Sequence, residues 1–337
     1  MAKNVLKIIN PPINVQMMYS YHLTITLMNE KTYPWFYSNF IQLKAYPSDL
    51  ITNNTNSIKF FQGKVDFNPW LNKHTTIDGN NMEIIRDLME SIDNKFYVEC
   101  SLDEFYLSNL RMGGLNHYYH KVMVYGYDAL DEIFYIVGYR KNQTYGETTC
   151  TFNELESAFY SDIPLNINHK EGIKRFCVPD IKYKPGVDIE RIVLLMNDYI
   201  NGINSLGAEK KSDEVENIPT YGVDVYRFLQ NSLKLLLNGI GKVDIRGYHA
   251  LMEHKKVMSQ RLKFLESKNY LIESAELIRD YYNIEKSTEK LRSLAIMYTI
   301  KKSEATLKAM IEYLLHIEKQ EISLLKEIKV RLERNLI

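Results

Sequence analysis

The chain has 337 residues, enough for two domains or for one with a large extension, and its 42 basic residues match 42 acidic ones. Without net charge there is no long-range field to recruit nucleic acid or an anionic membrane, so a polyanion-binding role is disfavoured. No apolar run reaches membrane-spanning length, the N-terminus lacks the apolar core of a signal peptide, and Cys100, Cys150 and Cys177 lack metal-ligand spacing. A soluble cytoplasmic protein without disulfides is expected.

Residues 1–15 read as an extended arm ending at Asn10-Pro11-Pro12. Apolar spacing predicts short helices over Met17 to Asn29 and Pro34 to Leu43, the second with proline in its first turn. Residues 45–81 are rich in Asn, Thr, Ser and Gly, which predicts short strands or loops around Phe60-Phe61 and Phe67-Asn68-Pro69-Trp70. A helix over Met82 to Ser91 and a buried strand over Lys95 to Cys100 follow.

The clearest architecture is in residues 116–158. His120 to Asp128 is a β-branched and aromatic run that stops at a Gly/Asp turn, and Ile133 to Tyr139 is a second strand near enough to pair back as a hairpin. Thr151 followed three residues later by Glu154 forms a capping box that opens a short helix. Phe176-Cys177-Val178 reads as a strand and Ile189 to Ile203 as a helix. Residues 207–220 are charged and poor in apolar side chains, as in a linker. Beyond it helices are expected over Val223 to Leu237, Asp244 to Ser267, Ser274 to Ile284, Ser287 to Ile300 and Ser303 to Arg334. The last carries a near-heptad stripe of Leu307, Ile311, Leu314, Leu325, Ile328 and Leu332.

Gly113-Gly114 lacks the lysine of a phosphate loop, so no nucleotide cofactor is expected. The pairs His249/Glu253 and Glu312/His316 each share a helix face, but such pairs are common on exposed helices and no metal site is assigned to them.

The strand His120-Lys121-Val122-Met123-Val124-Tyr125-Gly126-Tyr127-Asp128 resembles the histidine strand of papain-like cysteine peptidases of the bacteriocin-processing type. With Tyr221 to Tyr226 and Asp244 to Lys255, the chain is more closely similar to the butirosin biosynthesis protein H family, papain-fold acyltransferases of natural-product clusters. The resemblance implies an α+β fold: a papain-like domain over residues 1–205, helices packed on an antiparallel sheet, then a linker at 206–220 and an all-helical part over 221–337. It also implies His120 as base and Gln16 as an oxyanion-hole amide, and a thiol at the first helix, where Met17 and Met18 stand and Ser20 is the nearest hydroxyl. The place of the third catalytic residue holds Gly138-Tyr139, leaving Tyr139 or Asp128 to orient the imidazole.

Two functions follow from the resemblance. One is acyl transfer or amide formation from a thioester on an acyl or peptidyl carrier protein to a small-molecule amine or peptide. The other is a catalytically degenerate accessory protein that binds a carrier protein or synthetase module.

Overall fold

The computed structural model describes residues 3–46, 58–62, 68–76, 83–161, 173–183, 185–206 and 218–334. In chain order its elements are β1 (Lys3–Val5), α1 (Met17–Thr26), α2 (Tyr33–Ser38), β2 (Gln42–Ala45), β3 (Ile58–Phe61), β4 (Asn72–Thr76), α3 (Ile84–Asp93), β5 (Tyr97–Asp103), β6 (Tyr119–Asp128), β7 (Ile133–Tyr139), β8 (Tyr145–Thr151), α4 (Phe152–Phe159), β9 (Ile173–Cys177), α5 (Ile189–Asn201), β10 (Thr220–Tyr221), α6 (Asp224–Leu237), α7 (Ile245–Ser267), α8 (Ala275–Lys301) and α9 (Glu304–Arg334). The N-terminal region is thus mixed α+β on an antiparallel sheet, and the C-terminal region is almost all helical. Two compact units, each discontinuous in sequence, divide the chain: Met1–Glu30 with Asn68–Tyr183, and Lys31–Phe67 with Lys184–Ile337. Residues 207–217 of the expected linker lie outside the described residues, as do Phe67 and Met82.

In the first unit the described residues form a seven-stranded sheet in the order β4-β9-β5-β6-β7-β8, with β1 on β6. Its pleat sorts side chains between two cores. Val98, Cys100, Leu102, Val122, Val124, Phe134 and Ile136 join Leu88 and Ile92 of α3 and Leu155 and Ala158 of α4. Met123, Tyr125, Val137, Tyr145 and Phe176 meet Tyr21 and Ile25 of α1 on the opposite face. A Cβ on Gly126 would lie 2.9 Å from the Cα of Val5, so only glycine lets β1 close on β6, beside a register shift in the pairing with β7. The capping box at Thr151 and Glu154 forms as the sequence predicts. Strand β8 was hidden in sequence because Tyr145-Gly146-Glu147-Thr148-Thr149 has little apolar alternation; it pairs with β7 from Ile133↔Thr151 to Tyr139↔Tyr145.

In the second unit β2 is flanked by β3 and β10. The helix expected over Pro34 to Leu43 ends at Ser38, because Phe40 takes φ 53° and the following residues enter β2. Side chains of α7 receive the carbonyls freed there: Arg261 donates to Tyr37 O at 2.7 Å and to Asn39 O, and His254 Nε2 donates to Ile41 O at 2.7 Å. The two helices expected on either side of Lys286 are one, α8. Ser287 Oγ donates back to Asn283 O instead of capping a new start, and Tyr281, Ile284, Thr288 and Leu291 continue one buried stripe.

The stripe of α9 is buried at Leu307, Leu314, Leu325, Ile328 and Leu332, as expected, but it also contains fully buried Glu321. This carboxylate accepts hydrogen bonds from Tyr226 at 2.7 Å, Tyr199 at 3.2 Å and Tyr281, and it pairs with Lys255 Nζ at 2.8 Å. Burial lowers the pKa of Lys255 and Glu321 opposes the shift. Removing one partner of such a pair strands a charge, whereas replacing both with apolar groups does not. Glu321→Ala should cost about 3–5 kcal/mol in urea denaturation, and the double change Lys255→Met with Glu321→Leu should recover much of that loss. Equal losses in the single and double variants would show that the network adds nothing beyond packing.

Candidate active site at the opening between β6 and β7

Strand β5 pairs with the start of β6, with Leu102↔His120 and Asp103↔Tyr119. Glu104 N continues the ladder to Tyr118 O at 2.9 Å. The pleat therefore puts Glu104 and His120 on one face, diagonal neighbours at the strand ends. His120 Nδ1 lies 2.6 Å from Glu104 Oε1, and Glu104 Oε2 accepts from Met112 N at 3.3 Å. A carboxylate only accepts, so Nδ1 carries a proton, and in the neutral imidazole this is the tautomer that leaves the lone pair on Nε2. Nε2 has no hydrogen-bond partner among the described residues, and 16% of the side chain is open to solvent while Glu104 is fully buried.

A second pair stands beside the first. His117 Nδ1 donates to Asp103 Oδ2 at 2.7 Å, and its ring stacks on Phe105 at 4.1 Å. Asp103 also accepts from Ser161 Oγ and from the backbone N–H groups of Phe105 and Tyr118. Burial disfavours the charged form, but these bonds from His117, Ser161 and the backbone win and hold the carboxyl below its ordinary value. The fixed Asp103 anchors the turn that presents Glu104.

The β6–β7 ladder stops at Met123↔Val137, and beyond it residues 109–111 pair with the end of β7 and the residues just after it, through Leu110↔Arg140 and Arg111 N to Tyr139 O at 2.9 Å. Gly113 permits this course, since a Cβ there would fall 2.3 Å from Leu107 O. The Tyr139 ring lies across the resulting opening, 6.0 Å from that of His120, and its hydroxyl donates to Asn14 O at 2.5 Å, just before α1. Tyr118 flanks His120 with rings 5.3 Å apart.

The other expected residues are arranged differently from the template. By the pleat His120 shares the face of Val122 and Val124, while α1 packs on the face of Met123 and Tyr125, with Tyr21 Oη donating to Lys121 O at 2.6 Å. Gln16 is the N-cap of α1, its carbonyl accepting from Tyr19 and Ser20 N–H. Ser20 is fully buried and its hydroxyl donates to Met17 O at 3.2 Å, so it is not presented as a nucleophile. Met18 is 57% exposed. Burial pushes the thiols of Cys100 and Cys150 well up, which leaves both inert. Asp128 is taken by Lys3 Nζ at 3.0 Å and by the turn N–H groups of Leu130 and Asp131, so it does not orient His120.

Sequence reading missed Glu104. The signal was an acidic pair, Asp103-Glu104, at the end of a strand and fourteen to sixteen residues before two histidines, and only the register could have made it meaningful. Among the described residues no three His, Cys, Asp or Glu side chains are grouped to hold a metal, and no helix is long and apolar enough to cross a membrane. The His249/Glu253 pair forms within α7, Nε2 to Oε1 at 3.1 Å.

Helix α1 carries a pH-sensitive group. Burial, reinforced by the charges of Lys73, Lys121 and Lys174, lowers His22 to about 4. Its native form therefore binds fewer protons than the unfolded chain between about pH 4 and the ordinary histidine value near 6.5, so stability falls as pH drops through that window. His22→Gln should remove up to about 3 kcal/mol of this acid loss, read as a flatter plot of denaturation midpoint against pH. Parallel plots for the variant and the native chain would refute the assignment.

No family model matches the chain, and no curated protein matches it.

Proposed function

We propose that the chain is a papain-like protein of natural-product biosynthesis that forms an amide directly from a carrier-bound acyl thioester and an amine. The observation that carries the reading is the Glu104–His120 pair, with Nε2 left without a hydrogen-bond partner among the described residues where the β6–β7 ladder ends. Glu104 fixes the tautomer and stabilises the imidazolium, which is what an orienting carboxylate contributes in a histidine-base site. His120 Nε2 takes the proton as the amine nitrogen attacks the thioester carbonyl. The C–S bond then breaks, and the departing thiolate takes the proton back from the imidazolium. No acyl-enzyme forms, in keeping with Met17 and Met18 in the first turn of α1 and with the buried Ser20. Gln16 is assigned to the oxyanion by resemblance alone.

The accessory reading, a degenerate papain fold that binds a carrier protein or synthetase module, draws its support from the same absent thiol. The readings separate in one assay: incubate the chain with acyl-loaded carrier protein and an amine, and follow amide by mass spectrometry. His120→Gln keeps a donor for Glu104 and should abolish turnover with stability changed by no more than about 1 kcal/mol. Glu104→Gln should lower kcat by about 10²- to 10⁴-fold. No amide from the native chain across carriers and amines, with carrier binding intact, would leave the accessory function.

A further inference from the structure

A second charged side chain stands close to His120. Arg111 lies in the segment that replaces β6 as the neighbour of β7, fixed by its backbone N–H to Tyr139 O at 2.9 Å. Its guanidinium sits over the Tyr118 ring, 5.8 Å from the centroid, and that ring is 5.3 Å from the imidazole of His120. Arg111, Tyr118, His120 and Tyr139 thus form a continuous row of neighbouring side chains.

Arg111 Nε is buried and lacks a hydrogen-bond partner, and the guanidinium has no carboxylate partner among the described residues. Buried donors are seldom left unmade, because each forfeits its water without a replacement. The two nearby carboxylates are already committed: Glu104 to His120 and Met112 N, and Asp103 to His117, Ser161 and two backbone N–H groups. Stacking on Tyr118 holds the planar fork in place, which suits two parallel hydrogen bonds to a carboxylate or phosphate.

We infer that Arg111 binds an oxyanion of the substrate beside His120. The inference rests on His120 being the reacting centre. Two sources share this chemistry: the carboxylate of an amino-acid acceptor, or the phosphate of the pantetheine arm that carries the acyl donor. A neutral amine or a bare thioester would leave the guanidinium unpaired, so Arg111 is a specificity-determining residue.

The test uses the full chain and measures binding by calorimetry, with imidazole NMR signals of His120 as a local reporter. One arm compares N-acetylglycine with N-acetylglycinamide; the other compares 4′-phosphopantetheine with pantetheine. In one arm the anionic member should bind about ten- to a hundredfold more tightly than its neutral partner, shift the His120 signals, and lose that advantage in Arg111→Gln. Arg111→Lys should keep part of it, and unchanged thermal unfolding of both variants would show that the fold persists. The arm that responds names the source. Equal binding of anionic and neutral probes in both arms, or an advantage that survives in Arg111→Gln, overturns the inference. Arg111-dependent anion binding in a chain that makes no amide sustains the inference while removing the base reading. Amide formation indifferent to Arg111→Gln and to the probe's charge does the reverse.

Discussion

The antiparallel register of β5 on β6 is the constraint on which the candidate site depends. Leu102↔His120 fixes Glu104 diagonally across from the histidine, on the same face, and a slip of one residue would turn either side chain to the opposite face. Buried apolar neighbours hold that register: Val98, Cys100, Leu102, Val122 and Val124 fill one core, and the slip would expose them. The chemistry of the site is thereby tied to the packing of α3 and α4 rather than to the loops around it. Asp103, saturated by four hydrogen bonds, fixes the turn at which the strand gives way to Glu104.

The opening beside His120 arises from a change of partner. Past Met123↔Val137, β7 exchanges β6 for the segment around Leu110 and Arg111, and the hydrogen bonds lost to one strand are recovered from the other. Leu107 and Leu110 anchor that segment in the core, and Gly113 lets it turn back against its own carbonyls. A rigid strand carries His120, while a loop pinned at both ends brings Tyr118, and Arg111 over it, to its side. Loop residues placed in this way can vary without disturbing the Glu104–His120 pair.

The helical unit shows the same economy with a different purpose. Glu321 sits seven residues from Leu314 and from Ile328, in the stripe where an apolar side chain would serve packing. Tyrosines from α5, α6 and α8 and a lysine from α7 converge on it, so one carboxylate fixes the relation of four helices to α9. Packing alone tolerates many arrangements; a buried charge satisfied from four sides tolerates few. His254 and Arg261, also on α7, hold the carbonyls of residues 37–41, which explains why a segment so early in sequence belongs to this unit.

What the sequence determined by itself was local. The hairpin from His120 to Tyr139, the cap at Thr151 and the helices beyond Tyr221 follow from alternation, turn residues and helical spacing, all of which act over a few residues. His120 stood out by resemblance rather than by any such pattern, as the histidine opening a strand similar to that of the papain-like peptidases. The partners were decided only in three dimensions. Glu104 is indistinguishable from a surface acid until the β5–β6 register buries it against an imidazole, and β8 is too polar to declare itself until β7 offers a ladder. The break at Phe40, the unbroken course of α8 and the choice of Glu321 over a leucine depend on side chains contributed from more than two hundred residues away or from four separate helices. Hydrogen-bond satisfaction and burial are properties of the whole fold, and no local pattern encodes them.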